Sequence, residues 1–415
     1  MGSRGVGEQG SWGAGGQGSW GAGELGSRGA KARRRGGAEE RGVAESLGEL
    51  RAAILEMIGR GADQPRGDDA WGHLALRLFG YQFQANATYR RFCERRGKTP
   101  STVQAWGEIP TVPIAAFKEF TLACGAALQA VACFMTSGTT NPAKRGRHYH
   151  FTLEVYDASA ATFFKANVLP ELDRMRLLIL GSPPELSPNS SLAHYLGLMR
   201  DRFGGPGSGF YIGTEGLEAE RLRGDLRAAE REGAPVCLLG ASFAFVHFLD
   251  RCRADGLRFR LPAGSRMMDT GGFKGKSREI PQAELYALVA EHFGVGRDVC
   301  VNMYGMTELS MQCYDSPLRR RAVGLPEEPI MQAPPWARTL VLDAETLRPV
   351  PEGVRGILCH YDLANCSSVI GILTEDVGVA TSRGFRLLGR IQGADSRGCS
   401  VSVDEMLSTT EETRP

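Results

Sequence analysis

The feature that most limits the fold is an alternation running through the middle of the chain. Strand-like apolar runs occur at 132–135, 176–180, 236–240, 266–269 and 299–304, and helical patterns separate them, notably at 217–232 and 281–293. Strands alternating with helices imply a largely parallel sheet covered on both faces. Ligands in such sheets bind beyond the carboxyl ends of the strands, so chemistry-bearing motifs are expected there. Pro281 suits the first turn of its helix, because its missing N–H has no intrahelical partner at that position.

The flanks read differently. The first forty residues are Gly-rich and repeat GSWGAG at 10–15 and 18–23, with little apolar surface to offset ordering entropy. Residues 1–40 are therefore read as a disordered tail. Order is expected from near Ala44, where Leu47, Leu50, Ile54 and Ile58 recur at helical spacing. A second helical stretch covers 69–96, with Leu74, Leu76, Leu78, Phe79 and Phe83 as core. Past residue 337 short strands take over (TLVLD, GILCHY, VIGIL, FRLLGR), a small β-rich region closing the domain. The expectation is one core over 41–407 and a flexible end at 408–415.

Composition excludes several classes. With 42% hydrophobic and 23% charged residues the chain is a globular protein. Its net charge of +2 is concentrated in the tail, where Arg4, Arg28, Lys31 and Arg33–Arg35 outnumber Glu8 and Glu24. The slightly acidic body offers no nucleic-acid surface, and a short basic tail is by default solvated. Ten cysteines without a CxxC pair indicate neither a zinc site nor a disulfide framework, and fit a reducing cytosol. The longest apolar stretch, 235–249, is too short to span a bilayer and is broken by Ser242 and His247. No apolar signal core is present at the N-terminus, and the protein is read as cytoplasmic.

Three motifs carry chemistry. Thr136-Ser137-Gly138-Thr139-Thr140 follows a strand and precedes Lys144, Arg145 and Arg147. Small hydroxyl residues and glycine let N–H and O–H groups converge on an anion, although a polar surface turn explains the five about as well. It is not a P-loop, since no Gly-Lys-Ser/Thr follows. Tyr304-Gly305-Met306-Thr307-Glu308 offers an aromatic face for a purine, a hydroxyl for a phosphate and a carboxylate for Mg²⁺. Thr374-Glu375-Asp376-Val377-Gly378, read as a tight turn, offers a carboxylate for ribose hydroxyls ahead of Leu387-Leu388-Gly389-Arg390. Taken singly, each is more often a solvated turn or a strand end.

Two further signals rank lower. Gly240-Ala241-Ser242-Phe243-Ala244 sits where a hydrolase nucleophile elbow would, but the second glycine is missing, and lining of a carboxylate pocket is the preferred reading. His148 and His150 alternate on a strand without a third metal ligand, which favours solvated or substrate-adjacent histidines.

In this order the three motifs resemble the adenylate-forming superfamily of acyl-CoA synthetases, adenylation domains and firefly luciferase, with its TSGTTG loop, YGxTE motif and ribose-binding Asp before a GR segment. The segments IPTVPIAAFKEF (109–120), MYGMTELSMQCYD (303–315), HYDLANCSSVIGILTEDVG (360–378) and GFRLLGRIQGADSRGCSVSVDE (384–405) resemble the acyl-protein synthetase family. That family includes the fatty-acid-activating subunit of bacterial bioluminescence operons. The likeness covers about 44–407. It implies an α/β adenylate-forming core of the N-terminal type, with largely parallel sheets and a small β-rich C-terminal region. The mobile C-terminal domain of the wider superfamily is expected to be absent.

The resemblance also implies chemistry: a fatty acid is adenylated with ATP and Mg²⁺, then passed to a cysteine near the C-terminus. A reductase partner takes the acyl group on to aldehyde. Carried over, Thr136, Ser137, Gly138, Thr139 and Thr140 cradle the ATP phosphates. Gly271 and Gly272 border the adenine, with Tyr304 stacking on it. Thr307 and Glu308 serve phosphate and Mg²⁺, Asp376 the ribose, and Arg390 the hinge side of the nucleotide. Cys399 matches the acylated cysteine, and its neighbour Arg397 favours the thiolate. Asn141 departs from the family glycine, and Lys144, Arg145 or Arg390 stands in for the catalytic lysine of the missing domain. Two rivals stay open: a related acyl- or aryl-CoA ligase, and a nucleotide-binding scaffold that has lost catalysis.

Overall fold

The computed structural model describes residues 46–136, 144–271, 278–326 and 328–390. Ser46 opens the first helix, α1 (Leu47–Gly59), with a capping box: the Glu49 N–H donates to its hydroxyl at 3.3 Å, and its own N–H donates to the Glu49 carboxylate at 2.9 Å. The helix buries Leu50, Ile54, Met57 and Ile58. The single stretch expected over 69–96 is in fact two helices, α2 (Asp68–Ala85) and α3 (Ala87–Arg95). Asn86 separates them with extended φ −109° and ψ 96°. Its N–H donates back to the Gln82 carbonyl at 2.9 Å and its side chain accepts from the Tyr89 N–H at 3.0 Å. Periodicity does not show the break, because Leu74, Leu78, Phe79, Tyr89 and Phe92 all enter one core. Leu76 and Phe83 are only partly buried.

β1 (Val112–Pro113) and the short α4 (Ala116–Glu119) lead to a hairpin of β2 (Ala132–Met135) and β3 (Arg147–His150). The run at 132–135 is thus a strand, but one paired antiparallel with β3 rather than part of the parallel sheet. A short connection permits a hairpin, whereas a parallel neighbour needs a long crossover.

The chain continues through α5 (Glu154–Val168), β4 (Arg176–Leu180), α6 (Ser191–Phe203), β5 (Gly209–Phe210), β6 (Ile212–Gly213), β7 (Gly216–Leu217), α7 (Ala219–Glu232), β8 (Val236–Ala241) and α8 (Ser242–Ala254). It then forms β9 (Arg266–Thr270), α9 (Gln282–Phe293), β10 (Cys300–Tyr304), β11 (Cys313–Asp315) and α10 (Pro317–Ala322). A six-stranded sheet results, in the order β11-β10-β9-β8-β4-β5, parallel except for β11. Leu177 and Ile179 of β4 face one core while Leu178 and Leu180 face the other, so both sides of the sheet are covered. Pro281 is the N-cap of α9, not a residue of its first turn, with extended ψ of 144°.

A second sheet holds β12 (Ala337–Leu342), β13 (Arg355–Asp362), β14 (Gly371–Thr381) and β15 (Gly384–Arg390), with order β1-β14-β13-β12 and β15 also on β14. Only the β1–β14 pairing is parallel. The expected β-rich region is present, yet it recruits β1 from more than 200 residues upstream. Asp376 lies within β14, opposite Arg390, rather than on a tight turn. β15 pairs with Asp376 and Val377, and β13 pairs with Leu373 and Val377 across a register shift; a second shift, against β15, falls at Val377/Gly378. Among the described residues no helix is long and apolar enough to cross a membrane.

Because Asn86 caps α3, Asn86→Ala should lower stability by about 1 kcal/mol, and Asn86→Asp, which keeps the cap oxygen but turns a buried carboxylate oxygen toward the Ser368 carbonyl, should restore only part of it. Urea denaturation of the three proteins checks this; equal midpoints would show that the cap contributes nothing.

Candidate active site

The two sheets meet through a chain of polar contacts at the end of β10. Tyr304, its last residue, donates its hydroxyl to Asp376 Oδ2 at 2.8 Å. On the far side of that carboxylate, Arg390 Nε lies 3.4 Å from Oδ1, with a guanidinium that is 67% exposed. Behind Tyr304 sits His360, fully buried, its Nε2 3.3 Å from the tyrosine oxygen and its Nδ1 2.9 Å from Thr339 Oγ1. The tyrosine proton is committed to Asp376, so His360 donates from Nε2 and accepts from Thr339 at Nδ1. Burial drives His360 down to about 3, which keeps it neutral in that tautomer. Burial also raises the Asp376 carboxyl, against the opposing pull of Tyr304 and Arg390. The Tyr304 ring packs edge-on to Phe385 and tilted on His360.

The next residues form the loop that carries Glu308, and its backbone is held at several points. His148 Nδ1 is 2.9 Å from the Thr307 carbonyl, which fixes its proton on Nδ1. Asn365 Nδ2 donates to the Glu308 carbonyl at 3.0 Å. Asp362 Oδ2 accepts the N–H groups of Ser310 and Met311 at 2.9 and 2.8 Å. Glu308 itself is buried, and it faces the stem of the Thr136 loop. There Thr136 Oγ1 accepts the Gly146 N–H at 3.0 Å. A methyl group on Gly146 would sit 3.1 Å from Thr136 Cγ2 and 3.4 Å from Glu308 Oε1, so both side chains lie against the same glycine. Thr136, the first residue of one motif, and Glu308, the last of the next, are therefore neighbours in space.

Gly271 lies level with Tyr304, since β9 and β10 pair Thr270 with Met303, and its φ of 71° needs glycine. Ser242 Oγ sits 2.9 Å from the Gly271 carbonyl and 2.8 Å from Asp269 Oδ2. Asp269 is also held by Tyr286 at 2.7 Å and Asn302 at 3.1 Å, and burial raises its carboxyl. Ser242 is thus a buried tether between a carboxylate and the Gly271 loop, with no imidazole on it. That arrangement is not a nucleophile elbow.

Gly271 and Tyr304 fall at ends of parallel strands as expected, whereas Thr136 follows a hairpin strand and Asp376 lies inside an antiparallel one. Ser137, Gly138, Thr139, Thr140, Gly272 and Cys399 lie outside the described residues. The solvated reading of His148 and His150 is overturned: both are buried, with ring centroids 4.1 Å apart. Burial lowers His148 to about 4 and His150 likewise downward. Phe117, Phe134 and Tyr156 pack around this strand face. Lys144 pairs with Glu119 at 3.1 Å. Burial pushes the Cys366 thiol to about 11 and Cys313 up as well, so neither presents a thiolate at neutral pH. His360, Asp362 and Asn365 escaped the reading of the sequence. Their signal is a run of polar residues, HYDLANCSS, interrupting an apolar strand pattern.

This fold recurs in solved ligases. It is similar to 2-hydroxyisobutyryl-CoA ligase, solved with a bound acyl-adenylate: TM-score 0.60 at 15% identity, covering 83% of this chain and 74% of that one. An open conformation of the same ligase gives a TM-score of 0.57 at 16% identity, over 78% of this chain and 69% of that one. The sequence identifies the branch. The model for "Acyl-protein synthetase, LuxE" matches residues 72–408, and the chain belongs to that family. It is 21% identical over 338 residues to the long-chain-fatty-acid–luciferin-component ligase of Vibrio harveyi, 79% of this chain and 85% of that relative. The corresponding ligase of Aliivibrio fischeri is 20% identical over 351 residues, 80% of this chain and 88% of that relative. The protein is a ligase that uses ATP to activate a carboxylic acid as an acyl-adenylate, with transfer of the acyl group to a protein thiol.

The neutral state of His360 makes stability depend on pH. An unfolded histidine takes up a proton as pH falls below about 6.5. The folded one, lowered to about 3, does not, so stability is lost as pH falls through that window. Between pH 6.5 and 5 this amounts to about 2 kcal/mol from His360 alone. Asp362, raised to about 7 by burial, acts with the opposite sign, so the measurement is a difference between proteins. His360→Gln should lose less stability than the wild type on going from pH 7.5 to 5 in urea titrations. Parallel pH profiles would overturn the assignment.

Proposed function

We propose that this chain adenylates a long-chain fatty acid and then carries the acyl group on Cys399. The observation that supports this most is the convergence at the end of β10: Tyr304, Asp376 and Arg390 join across the two sheets, and the loop that follows brings Glu308 against Thr136 and Gly146. In this reading residues 41–407 form the adenylating core. Thr136–Thr140 and Thr307 hold the ATP phosphates. Gly271 and Gly272 border the adenine, on which Tyr304 stacks. Asp376 binds the ribose, fixed by Tyr304 and Arg390.

Glu308 fits a divalent cation: it is a nearly buried carboxylate beside a hydroxyl loop. Among the described residues no group of three or more acidic, histidine or cysteine side chains forms a metal cage. Mg²⁺ needs no cage, because it takes one or two carboxylates together with phosphate oxygens and water. Bound there, it neutralises charge on the departing pyrophosphate. The protein's own groups then position the reaction. The fatty carboxylate oxygen attacks the α-phosphorus of ATP, a bond to that oxygen forms, and the bond to pyrophosphate breaks. The Cys399 thiolate next attacks the acyl carbon, forming a thioester and releasing AMP. A reductase acting on acyl thioesters would take the group onward, and a reducing cytoplasm would keep the thiol available.

ATP–pyrophosphate exchange with a series of fatty acids tests the activation step. Cys399→Ser should keep that exchange and lose hydroxylamine-sensitive labelling by a radioactive fatty acid, because a serine hydroxyl is hardly ionised at neutral pH. Wild-type labelling in Cys399→Ser would remove Cys399 from the mechanism. Exchange without labelling even in the wild type would point to a free acceptor such as coenzyme A.

A further inference from the structure

Asp362 is fully buried at the end of β13, and no acid–base or nucleotide role in the reading above uses it. Its carboxylate receives three backbone N–H groups: Ser310 and Met311 on Oδ2, and Ala364 on Oδ1 at 2.9 Å. Among the described residues no cation pairs with it, so the acid is stabilised by backbone dipoles alone. A buried carboxylate without a counter-ion is costly and is an inefficient way to fill a core. Nor is it replaceable by its amide. Asparagine offers one acceptor oxygen and would turn an NH₂ group toward N–H donors that need an acceptor.

The surroundings show what the carboxylate achieves. The Ser310 and Met311 amides lie two and three residues beyond Glu308. The turn that begins at Asp362 also supplies Asn365, whose side chain bonds the Glu308 carbonyl. This turn is itself anchored. Fully buried Gln82 of α2 donates to the Asn365 carbonyl at 2.9 Å and accepts the Ile370 N–H at 2.7 Å. With His148 on the Thr307 carbonyl, buried side chains hold the backbone of Thr307, Glu308, Ser310 and Met311.

We infer that Asp362 is a positioning residue for Glu308: it pins the backbone on which the Glu308 carboxylate stands, so that the carboxylate meets a nucleotide-bound divalent cation without reorganising. The inference rests on the reading of Glu308 as the cation-binding group. Groups that orient a ligand typically account for 10–100-fold in metal affinity or activity, far more than a distant packing contact.

The test uses the full chain and Mn²⁺ as the probe, titrated by electron paramagnetic resonance in the presence of ATP and absence of fatty acid, alongside Mg²⁺ titrations of pyrophosphate exchange. Asp362→Asn should weaken Mn²⁺ binding by about tenfold, and raise the Mg²⁺ needed for half-maximal exchange by a similar factor. Added to Glu308→Gln it should cause no further loss of Mn²⁺ binding, because it acts through that residue. A residue that merely supports the fold would lower the active fraction and leave the half-saturating cation concentration unmoved. If Asp362→Asn does not fold, Asn365→Ala, which frees the Glu308 carbonyl, should shift Mn²⁺ binding in the same direction. Wild-type Mn²⁺ affinity in the folded variant, with Glu308→Gln impaired, overturns the inference alone. Wild-type Mn²⁺ affinity in Glu308→Gln overturns both the inference and the role given to Glu308.

Discussion

The contact between the Tyr304 hydroxyl and Asp376 is a polar link between two sheets that share no strand pairing, although both contribute to one apolar core. One end is the last residue of a parallel strand, where an α/β sheet opens to ligands. The other is a carboxylate inside an antiparallel strand, facing that opening. What lies around the pair serves to keep it in one geometry. Thr339 and His360 direct the tyrosine from behind, and Arg390 balances the acid from solvent. Loss of any member leaves a buried polar atom without a partner, which is costlier than the bond was favourable.

Buried polar groups behind the site form a pattern of their own. Asp269, Asp362, His148 and His360 are each buried: Asp269 bonds Ser242, Asp362 the backbone of Ser310 and Met311, His148 the Thr307 carbonyl and His360 Tyr304. Such groups would be replaced by apolar ones if the core alone were at stake. Their arrangement converts stability into fixed orientation, the usual currency of preorganised sites.

Much of this was legible in the sequence. Apolar alternation located β4, β8, β9 and β10 to within a residue or so, because strands buried on both faces have little compositional freedom. The motifs named Tyr304, Glu308 and Asp376 as residues that belong together, and the structure brings Tyr304 onto Asp376. Other points depended on pairing that periodicity does not encode. The hairpin of β2 and β3, the recruitment of β1 and the extension of β14 through Asp376 are decisions about partners, made by residues remote in the chain. Asn86 ends one helix and starts another without disturbing the apolar face. In the sequence, the segment 360–378 carries a resemblance, with no role for Asp362 or Asn365; their bonds to Ser310, Met311 and Glu308 show what this buried turn holds.

β14 is shared by three neighbours. Ile372 lies opposite Val112, Leu373 opposite Cys359, and Asp376 opposite Arg390. The strand therefore works as a ruler, fixing how far the N-terminal segment, the buried turn and Asp376 stand from one another. Its register against β13 shifts between Leu373 and Val377, where β14 carries more residues than the strand opposite it, so plain alternation of side chains does not continue past that point. That irregular stretch, rather than a uniform pleat, aims Asp376 at Tyr304.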